Sequence, residues 1–152
     1  SGQCDWSIAT ATLWAVPVFI CYGGPDAEFA RELERWLSSR GVSTRFFEKH
    51  ATAGEPLHKF MYRSVADQDR VIIVCSREGL SRSGLRNEIE QCFAKEARLG
   101  GRALVLPIAI DGSLFELGAV DDELRQRLTD RVVCCETSAS DALTRLLPAL
   151  RK

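Results

Sequence analysis

Apolar and polar positions along the chain fall into blocks that predict strands and helices in alternation. Residues 18–22 and 71–75 are short runs that are apolar at almost every position, which is typical of parallel strands covered on both faces. After the first run, Phe29, Leu33 and Leu37 recur at the spacing of one helix face. The pattern therefore predicts an α/β protein in which strands and helices follow one another.

Five strands are predicted from residue 17 onward, and each is followed by a helix. The strands are placed at residues 18–22, 42–47, 71–75, 103–110 and 131–135, and the helices at 29–40, 57–65, 81–99, 121–128 and 140–150. Ser81 or Ser83 is predicted to cap the third helix. Gly41 and Gly100 are predicted to end the first and third helices. Right-handed crossovers then favour a flavodoxin-like, doubly wound parallel sheet of order 2-1-3-4-5 with helices on both faces.

The length of 152 residues suits one domain, which we place at residues 16–152. Residues 1–15 do not join the alternating pattern and are interpreted as an extension or linker, or as the end of an upstream domain of a longer protein. The apolar runs are far shorter than the ~20 residues that span a bilayer. A net charge of -1, with acidic and basic residues interspersed, argues against nucleic acid as a partner. A cytoplasmic protein without a membrane segment is expected.

The six cysteines do not form a CxxC pair and have no histidine at zinc-binding spacing. Cys21, Cys75 and Cys134 fall inside apolar runs, where a reduced cysteine acts as a small hydrophobic residue. Neither a metal site nor a disulfide framework is therefore predicted. His50 and His58 are interpreted as surface histidines.

In doubly wound sheets, ligands bind beyond the carboxyl ends of the strands, near the point between strands 1 and 3 where the order reverses. The first strand delivers Tyr22 and Asp26 to this edge, and the third delivers Ser76. A phosphoacceptor receiver needs a carboxylate at the end of strand 3, where Cys75 and Ser76 stand. The chain also lacks the glycine-rich phosphate loops and the nucleophile elbow of other α/β classes.

Six segments in order resemble the Toll/interleukin-1 receptor (TIR) domain family. Residues 18–22 followed by Asp26 are similar to the family's first-strand motif, and residues 71–76 to its third strand. Residues 81–89 resemble the Ser-x-x-Trp-x-x-x-Glu-Leu segment that opens its third helix. The other three matches are the first helix with its Gly-Val exit (29–42), the loop glycine Gly54 and the Pro107-Ile108 pair. The late Phe-Trp motif of animal receptor domains is absent, which favours a bacterial or stand-alone type.

This resemblance implies an NAD⁺ glycohydrolase in a defence or signalling pathway, with NAD⁺ as substrate and no cofactor. Glu88 falls on the catalytic glutamate of the family's NAD⁺-cleaving members, and Tyr22, Asp26, Phe47 and Ser76 are the expected substrate-binding residues. Helix geometry independently places Glu88 at the border of the buried helix face, aimed toward the strand ends. Glu90 is expected to be solvated. Other TIR domains are the expected protein partners, through self-association.

Two alternatives remain open at this stage. One is a non-enzymatic scaffold that assembles through the loop at residues 48–56, and the other is a nucleoside-type N-glycosidase or transferase. Gly84 stands where many family members have Trp, which removes an aromatic wall and slightly favours the scaffold. Retention of Glu88 favours an enzyme. Product form, linear or cyclic, is not encoded in any of these residues.

Overall fold

The computed structural model describes residues 15–45, 70–100, 104–116, 122–135 and 138–151. Within these ranges the strands are β1 (Val18–Cys21), β2 (Thr44–Arg45), β3 (Arg70–Cys75), β4 (Val105–Ala109) and β5 (Cys134–Cys135). The α-helices are α1 (Ala27–Ser39), α2 (Arg77–Leu80), α3 (Ser83–Arg98), α4 (Asp122–Thr129) and α5 (Ala139–Leu146). Single 3-10 turns occupy Gly24–Asp26, Gly112–Phe115 and Leu147–Leu150.

The five strands form one parallel sheet of order β2-β1-β3-β4-β5, as predicted. β3 lies at its centre, with Phe19 of β1 opposite Val71, and Ile72 opposite Leu106 of β4. Its residues from Val71 to Cys75 are at most 1% exposed, because helices cover both faces of the sheet. The sheet order reverses between β1 and β3, so their carboxyl ends open the cleft where ligands bind in this class of fold.

Successive residues of each strand point to opposite faces, and they divide the core into two layers. Phe19 and Cys21 of β1 pack with α3 and α4 on one face. Val18 and Ile20 pack with α1 and α5 on the other. Any side chain near the end of β1 therefore belongs to one of two separate layers.

The start of α3 differs from the prediction. The short helix α2 intervenes after β3, and Ser76 caps it by accepting a hydrogen bond from the Gly79 amide at 2.9 Å. Arg82, not Ser81 or Ser83, is the N-cap residue of α3, and it makes no side-chain capping bond. The predicted serine cap is therefore wrong, because the chain first makes a separate turn that the polar spacing did not reveal.

The predicted helix ends are confirmed at both glycines, which adopt left-handed backbone (Gly41 φ 78°, Gly100 φ 76°). The predicted second strand continues to residue 47, whereas β2 is described only at Thr44–Arg45. Phe47, the loop at 48–56 with Gly54, both histidines and the helix predicted at 57–65 lie outside the described residues. In the described part of the chain, no helix is long and apolar enough to cross a bilayer.

A buried glutamate joins the end of α3 to the start of β4. Glu96 is 3% exposed, and its Oε2 accepts hydrogen bonds from the backbone amides of Leu104 (3.0 Å) and Val105 (2.8 Å). The Arg131 guanidinium, after α4, pairs with the same carboxylate. Glu96 therefore satisfies donors from two segments and ties both of them to α3.

Candidate functional site

Two of the predicted site residues are in direct contact at the carboxyl ends of β1 and β3. Ser76 Oγ donates a hydrogen bond of 2.5 Å to Asp26 Oδ2, and both side chains are buried. Asp26 reaches this position because Gly23, Gly24 and Pro25 turn the chain sharply after β1 into a 3-10 turn. The contact ties the start of α1 to the start of α2 across the switch point.

Glycines allow the two loops to approach this closely. A Cβ on Gly79 would stand 2.5 Å from Asp26 Oδ2 and 3.0 Å from Ser76 Oγ. A Cβ on Gly23 would stand 2.9 Å from the Gly79 Cα. Gly79 was not among the predicted site residues, since a glycine in a polar segment gives no signal of what lies opposite it in space.

Gly79→Ala is expected to lower the free energy of unfolding by about 1–3 kcal/mol, the usual cost of overpacking a tight contact. The added methyl would displace the Asp26 carboxylate and disturb its bond to Ser76. Thermal unfolding checks this result. Gly84→Ala, where a Cβ meets nothing within 4 Å, is the matched control and should be neutral or slightly stabilising. Equal behaviour of the two variants would show that the contact tolerates a methyl group.

Asp26 lies in an acidic part of the site. Burial raises the pKa of its carboxyl, the Ser76 hydrogen bond opposes that rise, and the nearby charges of Asp111 and Glu78 add to it. An additional anion at this position would be unfavourable for the same reason. Three carboxylates, those of Asp26, Glu78 and Asp111, therefore act on one another at this edge, where the Arg77 charge also acts on Asp111.

Asp111, at the end of β4, organises the adjoining loop and was not predicted. One carboxylate oxygen accepts from the Arg77 amide at 3.0 Å, and the other from the Ser113 amide (3.0 Å) and hydroxyl (2.6 Å). Partial burial raises the pKa of Asp111, but these hydrogen bonds and the Arg77 charge outweigh burial and lower it overall. A polar residue directly after the fourth strand is the signal that could have identified it.

Glu88 is more deeply buried than its helix position predicts. It lies on α3 at 4% exposure, and its Oε2 has no hydrogen-bond partner among the residues that the structure describes. Burial raises the pKa of its carboxyl. A buried carboxylate oxygen without a donor costs about 1–3 kcal/mol, so such groups are rare and concentrate at functional sites.

The other buried glutamates that the structure describes accept hydrogen bonds from neighbouring groups. Glu96 accepts from two amides and Arg131, and Glu34 on α1 accepts from the Ser38 hydroxyl at 2.9 Å. Glu90, two residues from Glu88, is exposed as expected and forms a 2.9 Å ion pair with Arg127 of α4. Among the buried glutamates that the structure describes, Glu88 is thus the one with an oxygen that accepts no hydrogen bond.

The α3 residues around Glu88 (Leu85, Ile89 and Cys92) pack in the same core layer as Cys21 at the end of β1. The charge of Glu88 contributes to raising the pKa of Cys21 and of Cys92, although burial is the larger cause for both thiols. The pKa of Cys92 rises to about 12, and that of Cys75 is also well above its ordinary value because of burial. These thiols stay protonated and free, so they serve as core residues rather than nucleophiles. Within the described ranges, no three potential ligand side chains group as a metal site.

The predicted residues do not all share one face of the sheet. Tyr22 is half-buried and packs against the layer of α1 and α5, whereas Glu88 belongs to α3 on the opposite face. Asp26 and Ser76 lie between them at the strand ends. Phe47 lies outside the described residues. Gly84, one turn before Glu88, is exposed with open space around it.

Glu88→Gln is expected to stabilise the protein at pH 7 by about 1 kcal/mol, because it removes a charge held in a desolvated position. Burial raises the pKa of Glu88 in the folded protein above its ordinary value of 4.5. Protonation of Glu88 therefore contributes fully to the free energy of unfolding below pH 4.5, and this contribution is lost as the pH rises through the pKa of the folded state. The advantage of Gln should therefore shrink as the pH falls to 4.5. Urea unfolding of both proteins at several pH values measures it. A Gln variant less stable than the parent at pH 7 would contradict the unpaired state of Glu88.

Comparison with protein families and solved structures agrees with the fold. The family model described as TIR domain matches residues 18–147, most of the chain, and the chain therefore belongs to the TIR domain family. A search of curated proteins gave no significant match. All the structural neighbours described next are below 25% identity, so they bear on the fold alone.

Three solved structures illustrate the likeness. The TIR domain of the Toll-related receptor TRR-2 from Hydra magnipapillata has a TM-score of 0.57 at 16% identity, covering 86% of this chain and 97% of that one. The TIR domains of the activated Roq1 resistosome, which recognises the pathogen effector XopQ, reach 0.66 at 17% identity, covering 89% and 99%. A TIR-STING receptor from C. gigas reaches 0.63 at 21% identity, covering 85% of this chain but only 39% of its own.

Proposed function

We propose that this TIR domain is an NAD⁺ glycohydrolase that cleaves the bond between nicotinamide and ribose, with Glu88 as the catalytic residue. The observation that carries the proposal is the buried Glu88 carboxylate, one oxygen of which accepts no hydrogen bond from any described residue. Asp26, Ser76 and Tyr22 are proposed to contact the substrate from the strand ends, and Phe47 from the segment after β2. NAD⁺ is the substrate, and the proposed reaction requires no cofactor.

The reaction suits a site with a single carboxylate. The C1′–N bond breaks, its electron pair passes to the pyridinium nitrogen, and nicotinamide leaves as a neutral molecule without needing a general acid. Water then forms a bond to C1′ and releases a proton to solvent, giving ADP-ribose, or a nucleophile within the substrate closes a cyclic product. Positive charge develops on the ribose ring meanwhile, and a nearby anion in a desolvated position stabilises it strongly.

The acidic surroundings support the same placement of the substrate. The pyridinium ring is cationic in NAD⁺, and burial together with Asp111 and Glu78 makes further anions unfavourable near Asp26. The nicotinamide end of NAD⁺ therefore fits this edge of the sheet better than its phosphates do. Buried thiols beneath it do not compete as nucleophiles, since their pKa values are raised.

Incubation of concentrated protein with NAD⁺, followed by chromatography for nicotinamide, tests the function directly. Release of nicotinamide by the parent supports the enzyme. A panel of nucleosides run in parallel separates it from a nucleoside-type N-glycosidase. Absence of nicotinamide at any protein concentration would favour the second candidate, a scaffold that acts through TIR–TIR contacts. The observation that favours that candidate is the open space at Gly84, where a wall of the family's site is missing.

Activity is expected to rise with self-association, because a TIR neighbour of this fold belongs to a resistosome and because the proposed assembly loop follows β2, the strand that pairs with β1. Specific activity should therefore fall on dilution, so that total activity falls more steeply than in proportion to protein concentration. Measuring turnover per molecule across a wide dilution series, with the oligomeric state followed by light scattering, checks this. A constant turnover per molecule would show that the single domain is sufficient.

A further inference from the structure

Helix α3 carries a second buried polar atom, Oε1 of Gln91, that has no hydrogen-bond partner in the described part of the chain. Glu88 and Gln91 are three residues apart, and side chains at this spacing are neighbours on one helix face, with Cβ atoms about 5–6 Å apart. Leaving a buried acceptor unsatisfied is costly, so two adjacent ones on one helix require an explanation. Resemblance to the family motif ends at Ile89 and gives no information about Gln91.

The two side chains lie on the edge of α3 that faces away from α4. On the α4 side, Glu90 pairs with Arg127, and the Arg127 guanidinium stacks 4.0 Å from the centre of the Phe93 ring. At 100° per residue, Gly84, Glu88 and Gln91 fall together within a narrow strip on the other side. Leu85, Ile89 and Cys92 of α3 belong to the same core cluster as Cys21, so the buried face that borders this strip packs on the side of the sheet to which Cys21 at the end of β1 points.

We propose that Gln91 is a substrate-positioning residue that accepts a hydrogen bond from one hydroxyl of the nicotinamide ribose while Glu88 accepts from the other. Two adjacent acceptors without donors are complementary to a vicinal diol, which presents two O–H donors on neighbouring carbons. Their pairing would satisfy both buried oxygens and fix the orientation of C1′ toward the Glu88 charge. This role rests on the proposed function, since it assigns the substrate contact of the same site.

Gln91→Met is the variant that tests it, because Met has a similar length and removes both amide atoms, so the assignment of oxygen and nitrogen in the amide does not matter. We expect the variant to lower kcat/KM for NAD⁺ about tenfold, as for one lost hydrogen bond in a buried site. Analogues lacking the 2′- or the 3′-hydroxyl of the nicotinamide ribose are then compared with NAD⁺. One of the two analogues lacks the hydroxyl that Gln91 contacts. For that analogue, kcat/KM of the parent and of Gln91→Met should differ by less than about twofold. Gln126→Met on the exposed face of α4 is the matched control.

An equal penalty for NAD⁺ and both analogues, or no penalty at all, would overturn the assignment while leaving the enzyme in place. If the parent shows no turnover, the same comparison is made on dissociation constants by calorimetry. Binding of NAD⁺ that weakens in Gln91→Met, with that weakening lost for one of the two analogues and kept for the other, then supports the diol contact although the proposed function fails. Absence of NAD⁺ binding to the parent overturns both.

Discussion

Glu88→Ala is expected to lower the rate of NAD⁺ cleavage by about 10²–10³-fold or more, the usual effect of removing one preorganised electrostatic group. The carboxylate is held at 4% exposure without a hydrogen bond on Oε2, so its interaction with developing positive charge is little screened by water. Nicotinamide release under single-turnover conditions measures the chemical step. Parent-like rates in both Glu88→Ala and Glu88→Gln would show that the catalytic assignment is wrong.

Glu90→Ala is the matched control for that experiment. It removes a glutamate from the same turn of α3, but an exposed one that pairs with Arg127. Surface pairs of this kind contribute at most ~1 kcal/mol to stability, so activity and folding should be close to those of the parent. Glu88→Gln separates charge from size: it should lose activity like Glu88→Ala, yet be at least as stable as the parent at pH 7.

Glu96→Ala is expected to show the opposite behaviour, a large loss of stability. The substitution leaves the buried amides of Leu104 and Val105 without their acceptor and Arg131 without its partner. Removing one side of such a buried network costs about 3 kcal/mol. For a domain of this size, that corresponds to a fall of about 6–12 °C in the unfolding temperature.

Calorimetric unfolding of Glu96→Ala beside Glu90→Ala measures this difference, since both remove a glutamate from α3. A Glu96 variant as stable as the Glu90 variant would mean that water replaces the buried contacts. Glu96 and Glu88 can thus be compared directly. Glu96 is a buried glutamate that stabilises the fold, and Glu88 is a buried glutamate proposed to act in the reaction.

The sequence by itself determined the order of the strands in the sheet and, to within one residue, the carboxyl ends of β1, β3, β4 and β5. Continuous apolar runs at residues 18–22 and 71–75 can be satisfied only when both faces are covered, so they predicted β1 and β3 and, with right-handed crossovers, the order of the sheet. Gly41 and Gly100 predicted helix ends because only glycine adopts left-handed backbone readily. These patterns are local in the sequence, and they can be interpreted without knowing any tertiary contact.

Tertiary structure alone decided which polar groups meet and which are left without partners. The bond between Asp26 and Ser76 joins residues 50 positions apart, and it depends on the close approach of Gly23 to Gly79, which no local pattern encodes. Helix periodicity placed Glu88 at the border of the buried face, but its deep burial depends on what packs over that border. The same holds for Glu88 and Glu96, two glutamates on one helix: only the segments around them determine that one is satisfied by three donors and the other has an oxygen without any.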